Sequence, residues 1–224
     1  MKNSKHIIII TIITIILIVL IILLVRFVMN IQEERQKAME NAKKYVITNY
    51  GLKVLNVQVY FSIDGLCHAD VSTEELPFKI TVFIDRKDLN AYNDLYLNSL
   101  VEYKLEQLIR EKLQYLMDGL DIMVVSESRF TRNDQPFTIE DINNNPNIIF
   151  DHPEITYFCS IDGMKSNDER IFSIFKQITE HFNPTGIYFH YVDIDDKNNG
   201  NMVYISEADF KNINDVSDLL PVAK

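Results

Sequence analysis

From Ile7 to Val25 the chain reads IIIITIITIILIVLIILLV, uncharged throughout, with two threonines as its only polar side chains. At 1.5 Å rise per residue, such a helix is about 28 Å long, close to the hydrocarbon thickness of a bilayer. A cleaved signal peptide would carry a shorter apolar core followed by a small-residue cleavage site. The residues that follow here are RFVMNIQEE, which offer none. Residues 1–29 are therefore expected to be a short basic tail and an uncleaved transmembrane anchor, with 7–25 in the lipid bilayer. Lys2 and Lys5 precede the span, and Arg26, Arg35 and Lys37 follow it, so the Lys/Arg tally leaves orientation open. The short basic tail favours export of everything after the span.

Beyond the anchor the pattern changes period. Residues 30–49 predict a helix that starts polar on all sides, a stalk, and then sets Ala38, Ala42, Tyr45, Val46 and Tyr50 on one face. Gly51 falls where a helix-ending glycine belongs. LNVQVYFSI then alternates, with Leu55, Val57, Val59, Phe61 and Ile63 on the inward side of a strand. Asp64-Gly65 has the composition of a hairpin turn. The return strand points Cys67, Ala69 and Val71 inward, and FKITVFID does the same with Phe78, Ile80, Val82 and Ile84. A helical stripe from about Tyr92 to Asp118 (Leu97, Leu100, Val101, Leu105, Leu108, Ile109, Leu113, Leu116) precedes the strand LDIMVV.

These elements predict an α-β-β-β-α-β unit over 30–127. Pro- and Asn-rich stretches (TRNDQP, NNNPN, DHP) predict a linker over 128–151. A smaller β-α-β-β-α unit is expected over 152–224. It starts with the strand ITYFCSI and continues with a helix capped by Ser166 and Glu169, with Ile171, Phe175, Ile178 and Phe182 inward. The hairpin GIYFHYVDI/MVYIS and a short helix within Glu207–Leu219 complete it. The fold class is α+β: a transmembrane helix followed by two small helix-on-antiparallel-sheet units. SIDG occurs twice, at Ser62–Gly65 and Ser160–Gly163, once before an alternating strand and once before a helix cap. Different surroundings argue for two strand-end turns, not a duplication.

Composition narrows function mainly by exclusion. A net charge of -10 and pI near 4.9 disfavour nucleic acid, which needs a concentrated positive surface. All six glycines fall at expected element ends or turns, leaving none for a nucleotide-binding loop, and GxSxG and HExxH are absent. Cys67 and Cys159 sit in apolar strand runs as small core residues would, and a bridge between them stays open. Asp193–Asn201 (DIDDKNNGN) has calcium-loop composition, but with Gly200 as the loop glycine Lys197 and Ser206 occupy ligand positions. A polar hairpin tip explains it.

The histidines, His6, His68, His152, His181 and His190, form no ligand spacing. Outward Tyr60, His68 and Asp70 could make a surface patch, although a solvated sheet face accounts for them. No catalytic, cofactor-binding or metal residue is assigned. A hydrolase built on His190, His152 or the acids Asp193 and Asp195 would require these groups, with Cys159, to converge in a cleft.

The helix ENAKKYVITNYG, the strand VLNVQVYFSIDG and the helix LVEYKLEQLIREKL together resemble the YfjL-like family of small membrane-anchored proteins of Gram-positive bacteria. The resemblance covers mainly Glu40 to Val125. It implies location and architecture, carries no site residues and assigns no activity. The expectation is a single-pass membrane protein displaying a non-catalytic binding or interaction domain on the extracytoplasmic side, with a protein partner at the membrane. The alternative is a propeptide-like inhibitor or sensor module, by fold analogy alone.

Overall fold

A computed structural model describes residues 2–62, 67–128, 130, 135–165, 169–192 and 200–219. Side chains are described from Ile15 onward, except at 165, 191–192, 200–201 and 216–217. The protein is α+β, with a long N-terminal helix followed by two four-stranded sheets on which helices pack. It divides into two compact units, Met1–Asp94 and Leu95–Lys224.

The first helix, α1 (Lys2–Tyr50), runs 49 residues without interruption. It is long and apolar enough to cross a membrane, and every described residue from Ile15 to Lys37 is exposed. Burial then begins abruptly. Ala38, Ala42 and Val46, four apart on one face, are fully buried, and the two small alanines let the helix lie close to the sheet. Polar groups fix the register of that contact. Asn41 Nδ2 donates to the Leu89 carbonyl at 2.7 Å, while Tyr45 and Tyr50 hydroxyls donate to Asp94 Oδ2 at 2.9 and 2.7 Å. Gly51, at φ +70°, ends the helix as expected, its N–H bonded to the Ile47 carbonyl.

The first sheet is an antiparallel meander of β1 (Val54–Phe61), β2 (Cys67–Thr73), β3 (Ile80–Ile84) and β4 (Ala91–Asp94), in that order. Val57, Val59, Cys67, Ala69, Val71, Ile80, Val82 and Ile84 form its buried face, in the period-two pattern that the sequence predicts. Three details differ from expectation. Leu55 points outward and is 63% exposed, because the β1/β2 register shifts between Val54 and Asn56 and inverts the alternation there. Phe78 precedes β3 and is only half-buried. Tyr92–Asp94, expected as the start of a helix, belongs with Ala91 to a fourth strand paired with β3. Ile63 and the Asp64-Gly65 turn lie outside the described residues.

The second unit opens with α2 (Tyr96–Leu113), followed by β5 (Asp121–Ser126). The first-unit boundary therefore falls at Asp94, not at 127. α2 and β5 belong with the C-terminal strands because β5 pairs antiparallel with β6 (Tyr157–Lys165), from Asp121↔Asp162 to Ser126↔Tyr157. The segment 128–151, expected as a linker, carries α3 (Ile139–Asn144) and a 3-10 helix at Pro146–Asp151, with Phe137, Ile142 and Ile149 buried. A complete capping box opens α3: the Thr138 side chain accepts from Asp141 N–H, and the Asp141 carboxylate accepts from Thr138 N–H.

After β6 come α4 (Arg170–His181), β7 (Gly186–Val192), β8 (Gly200–Ser206), a 3-10 helix at Glu207–Asn212 and α5 (Val216–Leu219). The sheet order is β5-β6-β7-β8. β6 and β7 run parallel, so this sheet is mixed and not antiparallel throughout. A parallel pair needs a crossover, and α4 supplies it, burying Ile171, Ile174, Phe175 and Ile178. Ser166, expected to cap α4, lies outside the described residues.

The second SIDG is not a strand-end turn. It lies inside β6, where the β6/β7 register shifts between Ile161 and Met164 and Gly163 takes φ +89°. A Cβ on Gly163 would come within 2.9 Å of the Gly119 carbonyl oxygen. Gly163→Ala should therefore cost about 2 kcal/mol, since left-handed strain adds to a clash with rigid backbone. A urea midpoint shift of the second unit's transition checks this, and an unchanged midpoint would refute it.

Candidate functional site

Each strand of the second sheet alternates. Ile122, Val124, Cys159, Ile161, Ile187, Phe189 and Ile205 are buried on one face. Register then fixes what stands on the other, in three cross-strand rows. The central row is Met123, Ser160, Tyr188 and Tyr204, and beside it run Val125, Phe158, Gly186 and Ser206. Asp121 pairs with Asp162, and His190 with Met202, toward the other end.

Three rings form a ladder across this face. Phe158 meets Tyr188 edge-on at 5.0 Å, and Tyr188 meets Tyr204 at 4.4 Å with a 33° tilt. Gly186 provides the floor, because a Cβ there would land on the Tyr204 ring. The face is open: Met202 is 59% exposed, Tyr204 49% and Met123 49%. Carboxylates stand at both ends. Glu127 Oε2 accepts from the Thr185 hydroxyl and Asp209 Oδ2 from the Ser206 hydroxyl, each at 2.6 Å, which places both acids at the Gly186/Ser206 end. Burial chiefly, then the charges of Tyr188, Glu127 and Asp209, push the Tyr204 hydroxyl above its ordinary pKa. At the other end Asp162 Oδ1 lies 3.6 Å from His190 Nδ1, an ion pair when the imidazole is protonated. Among the outward positions whose side chains are described, none is Lys or Arg; Lys165 ends β6 opposite Val192, beyond Asp162.

The two lateral edges of this sheet differ. On β5, α2 stands in for a neighbouring strand. Glu102 Oε1 accepts from Ser126 N–H at 2.8 Å, Glu106 Oε1 accepts from Val124 N–H at 3.0 Å, and Arg110 donates to the Ile122 carbonyl at 2.8 Å. These residues are four apart, so one helix stripe satisfies alternate backbone groups of the strand. Arg110 also pairs with Asp121 and holds that carboxyl below its usual range. On β8, no strand lies beyond among the described residues.

The groups weighed for chemistry do not meet. Cys159 is fully buried on the inner face, whereas His190 stands on the outer one, so no thiol–imidazole pair forms. Burial, with the Glu106 charge adding, pushes the Cys159 thiol up to about 12, and burial raises Cys67 as well. Both are free thiols, held protonated near neutrality. His152 is elsewhere, with Nδ1 2.8 Å from Glu154 Oε1 and its ring edge-on to Phe137 at 5.1 Å. It lines a cavity of about 330 Å³ with Tyr157, His181 and Glu207, and the Tyr157 hydroxyl there donates to the Phe182 carbonyl.

No group of three or more His, Cys, Asp or Glu suited to a metal occurs among the described residues. Asp193 and Asp195, with most of the calcium-like loop, lie outside them. In the first unit Tyr60 stacks on His68 at 5.1 Å, and Asp70 accepts a 3.0 Å hydrogen bond from Thr81, a self-satisfied polar sheet face.

The arrangement brings together aromatic faces, soft thioethers and flanking carboxylates on one side of the sheet. Sequence reasoning passed over it because GIYFHYV is apolar on both parities, so only the register of β6, β7 and β8 reveals which rings share the open side. No family model, curated protein or solved structure matches this chain.

Proposed function

We propose that this chain is a single-pass bacterial membrane protein that displays two α+β units on the extracytoplasmic side for binding and not for catalysis. The observation that carries the reading is the continuity of α1. One unbroken helix is apolar and exposed from Ile15 through Val25, then packs Ala38, Ala42 and Val46 into the first unit. Such a helix would couple the anchor rigidly to the domain it presents. The resemblance to YfjL-like proteins supports the same location and architecture. The open aromatic face of the second sheet supports binding.

Alkaline carbonate extraction of membranes tests the anchor. The native chain should stay in the pellet, and Leu17→Arg with Ile21→Arg should move it to the supernatant, as each mid-span Arg costs about 2.5–3.5 kcal/mol of insertion. Release of the native chain, or a mature N-terminus beyond Val25, overturns the anchor. Protease added to intact cells should degrade the C-terminal units, and full protection would reverse their side.

A further inference from the structure

We infer that the outer face of the second sheet, with the adjoining edge of β8, receives an extended Lys/Arg-bearing polypeptide segment. This deepens the binding role proposed above and rests on it. The first argument is charge. Asp162 lies at one end of the face, Glu127 and Asp209 are hydrogen-bonded to Thr185 and Ser206 at the other, and the described positions between them hold no Lys or Arg. A second copy of the same face would oppose like charges, which disfavours self-pairing.

The second argument is chemistry. Tyr188 and Tyr204 turn ring surface outward from a half-exposed ladder, and a Lys ammonium or Arg guanidinium over such a face is attracted by its quadrupole. Met123 and Met202 supply adaptable apolar contact for the aliphatic stems of the same side chains.

The third argument is the asymmetry of the edges. Three side chains of α2 close the backbone of β5, whereas among the described residues β8 ends the sheet and bears Met202 and Tyr204 on its exposed face. A long apolar edge without such a cover is a template for strand addition. An added strand would place alternate side chains level with Met202 and Tyr204, within reach of the Tyr204 ring.

The test uses the full chain in nanodiscs of zwitterionic lipid. Two fluorescent ten-residue probes are titrated by anisotropy, one alternating Lys with Thr and one alternating Glu with Thr. Only the Lys peptide should bind, more weakly as salt rises. Tyr188→Ala combined with Tyr204→Ala should weaken it tenfold or more, as should Asp162→Asn combined with Glu127→Gln. Neutralising Glu111 and Asp118, acids away from this face, should change affinity less than twofold. Gly186→Ala should weaken binding by displacing the Tyr204 ring, while circular dichroism stays native.

Equal loss from both acid pairs would mean diffuse attraction and overturn the assignment. So would indifference to the tyrosine pair, absence of binding, or self-association that buries the face. Carbonate extraction separates the two levels. A chain that stays with the membrane yet ignores the Lys peptide keeps the proposed role and loses this inference.

Discussion

Replacing Asp94 by Ala is expected to loosen the first unit by about 2–3 kcal/mol, because two half-buried donors lose the acceptor they share. Asp94 is 1% exposed, and the Tyr45 and Tyr50 hydroxyls both end on its Oδ2. Both tyrosines belong to α1 and the carboxylate to β4, so this junction holds the C-terminal part of the helix to the far edge of the sheet. Asp94→Asn keeps a carbonyl oxygen of the same size and should cost about half as much, since a neutral acceptor binds more weakly than a charged one.

Amide hydrogen exchange on residues 38–50 and 91–94 measures the effect locally, independent of the second unit. Protection there should drop in Asp94→Ala, and the combined Tyr45→Phe and Tyr50→Phe background should absorb most of the drop. Unchanged protection in Asp94→Ala would falsify the shared-acceptor account.

Asp94 also illustrates what could be read from the residues alone. The α1 docking stripe, the inward parities of β2 and β3 and the apolar stripe of α4 follow from period and burial, and each appears as expected. Ala91–Asp94 is short and lacks alternating apolar residues, so it reads as the start of the helix it precedes. Leu55 was misplaced by a bulge, a backbone event that leaves no mark in an alternating string.

The unit boundary was hidden for a different reason. A helical stripe on α2 says that it packs, but not on which sheet, and β5 finds its partner more than thirty residues away in β6. Thr138 and Asp141 were a legible capping box, spaced three apart, inside a segment dismissed for its Pro and Asn content. The aromatic ladder depends on the registry of three strands, and no single run contains it.

The closure of β5 by α2 carries the second large effect, and its sign depends on the substitute. Glu102→Ala with Glu106→Ala removes the acceptors of the Ser126 and Val124 N–H groups, at about 2–4 kcal/mol for the pair. It also bares an edge that can pair with other chains, so the double variant should associate at concentrations where the native protein does not. Gln should behave oppositely. Desolvation raises both carboxyl pKa values despite the backbone bonds they accept, so the folded state disfavours their charge.

For such a group the folded chain holds more protons than the unfolded one between the ordinary glutamate value near 4.5 and the raised folded value. Stability contributed at these sites therefore rises as pH falls through that window and is complete below it. Gln, which keeps an acceptor and carries no charge, should stabilise at pH 7 by under about 1 kcal/mol once solvent screening is allowed for. That advantage over the native chain should fade on acidification, as the native carboxyls take up their protons. Urea denaturation of native, Gln and Ala variants at pH 7 and pH 4 reads the differences, cancelling acids such as Asp121 whose shift runs the other way. A Gln pair less stable than native at pH 7, or an advantage that grows with acid, would mean that α2 holds β5 by charge and not by hydrogen-bond geometry.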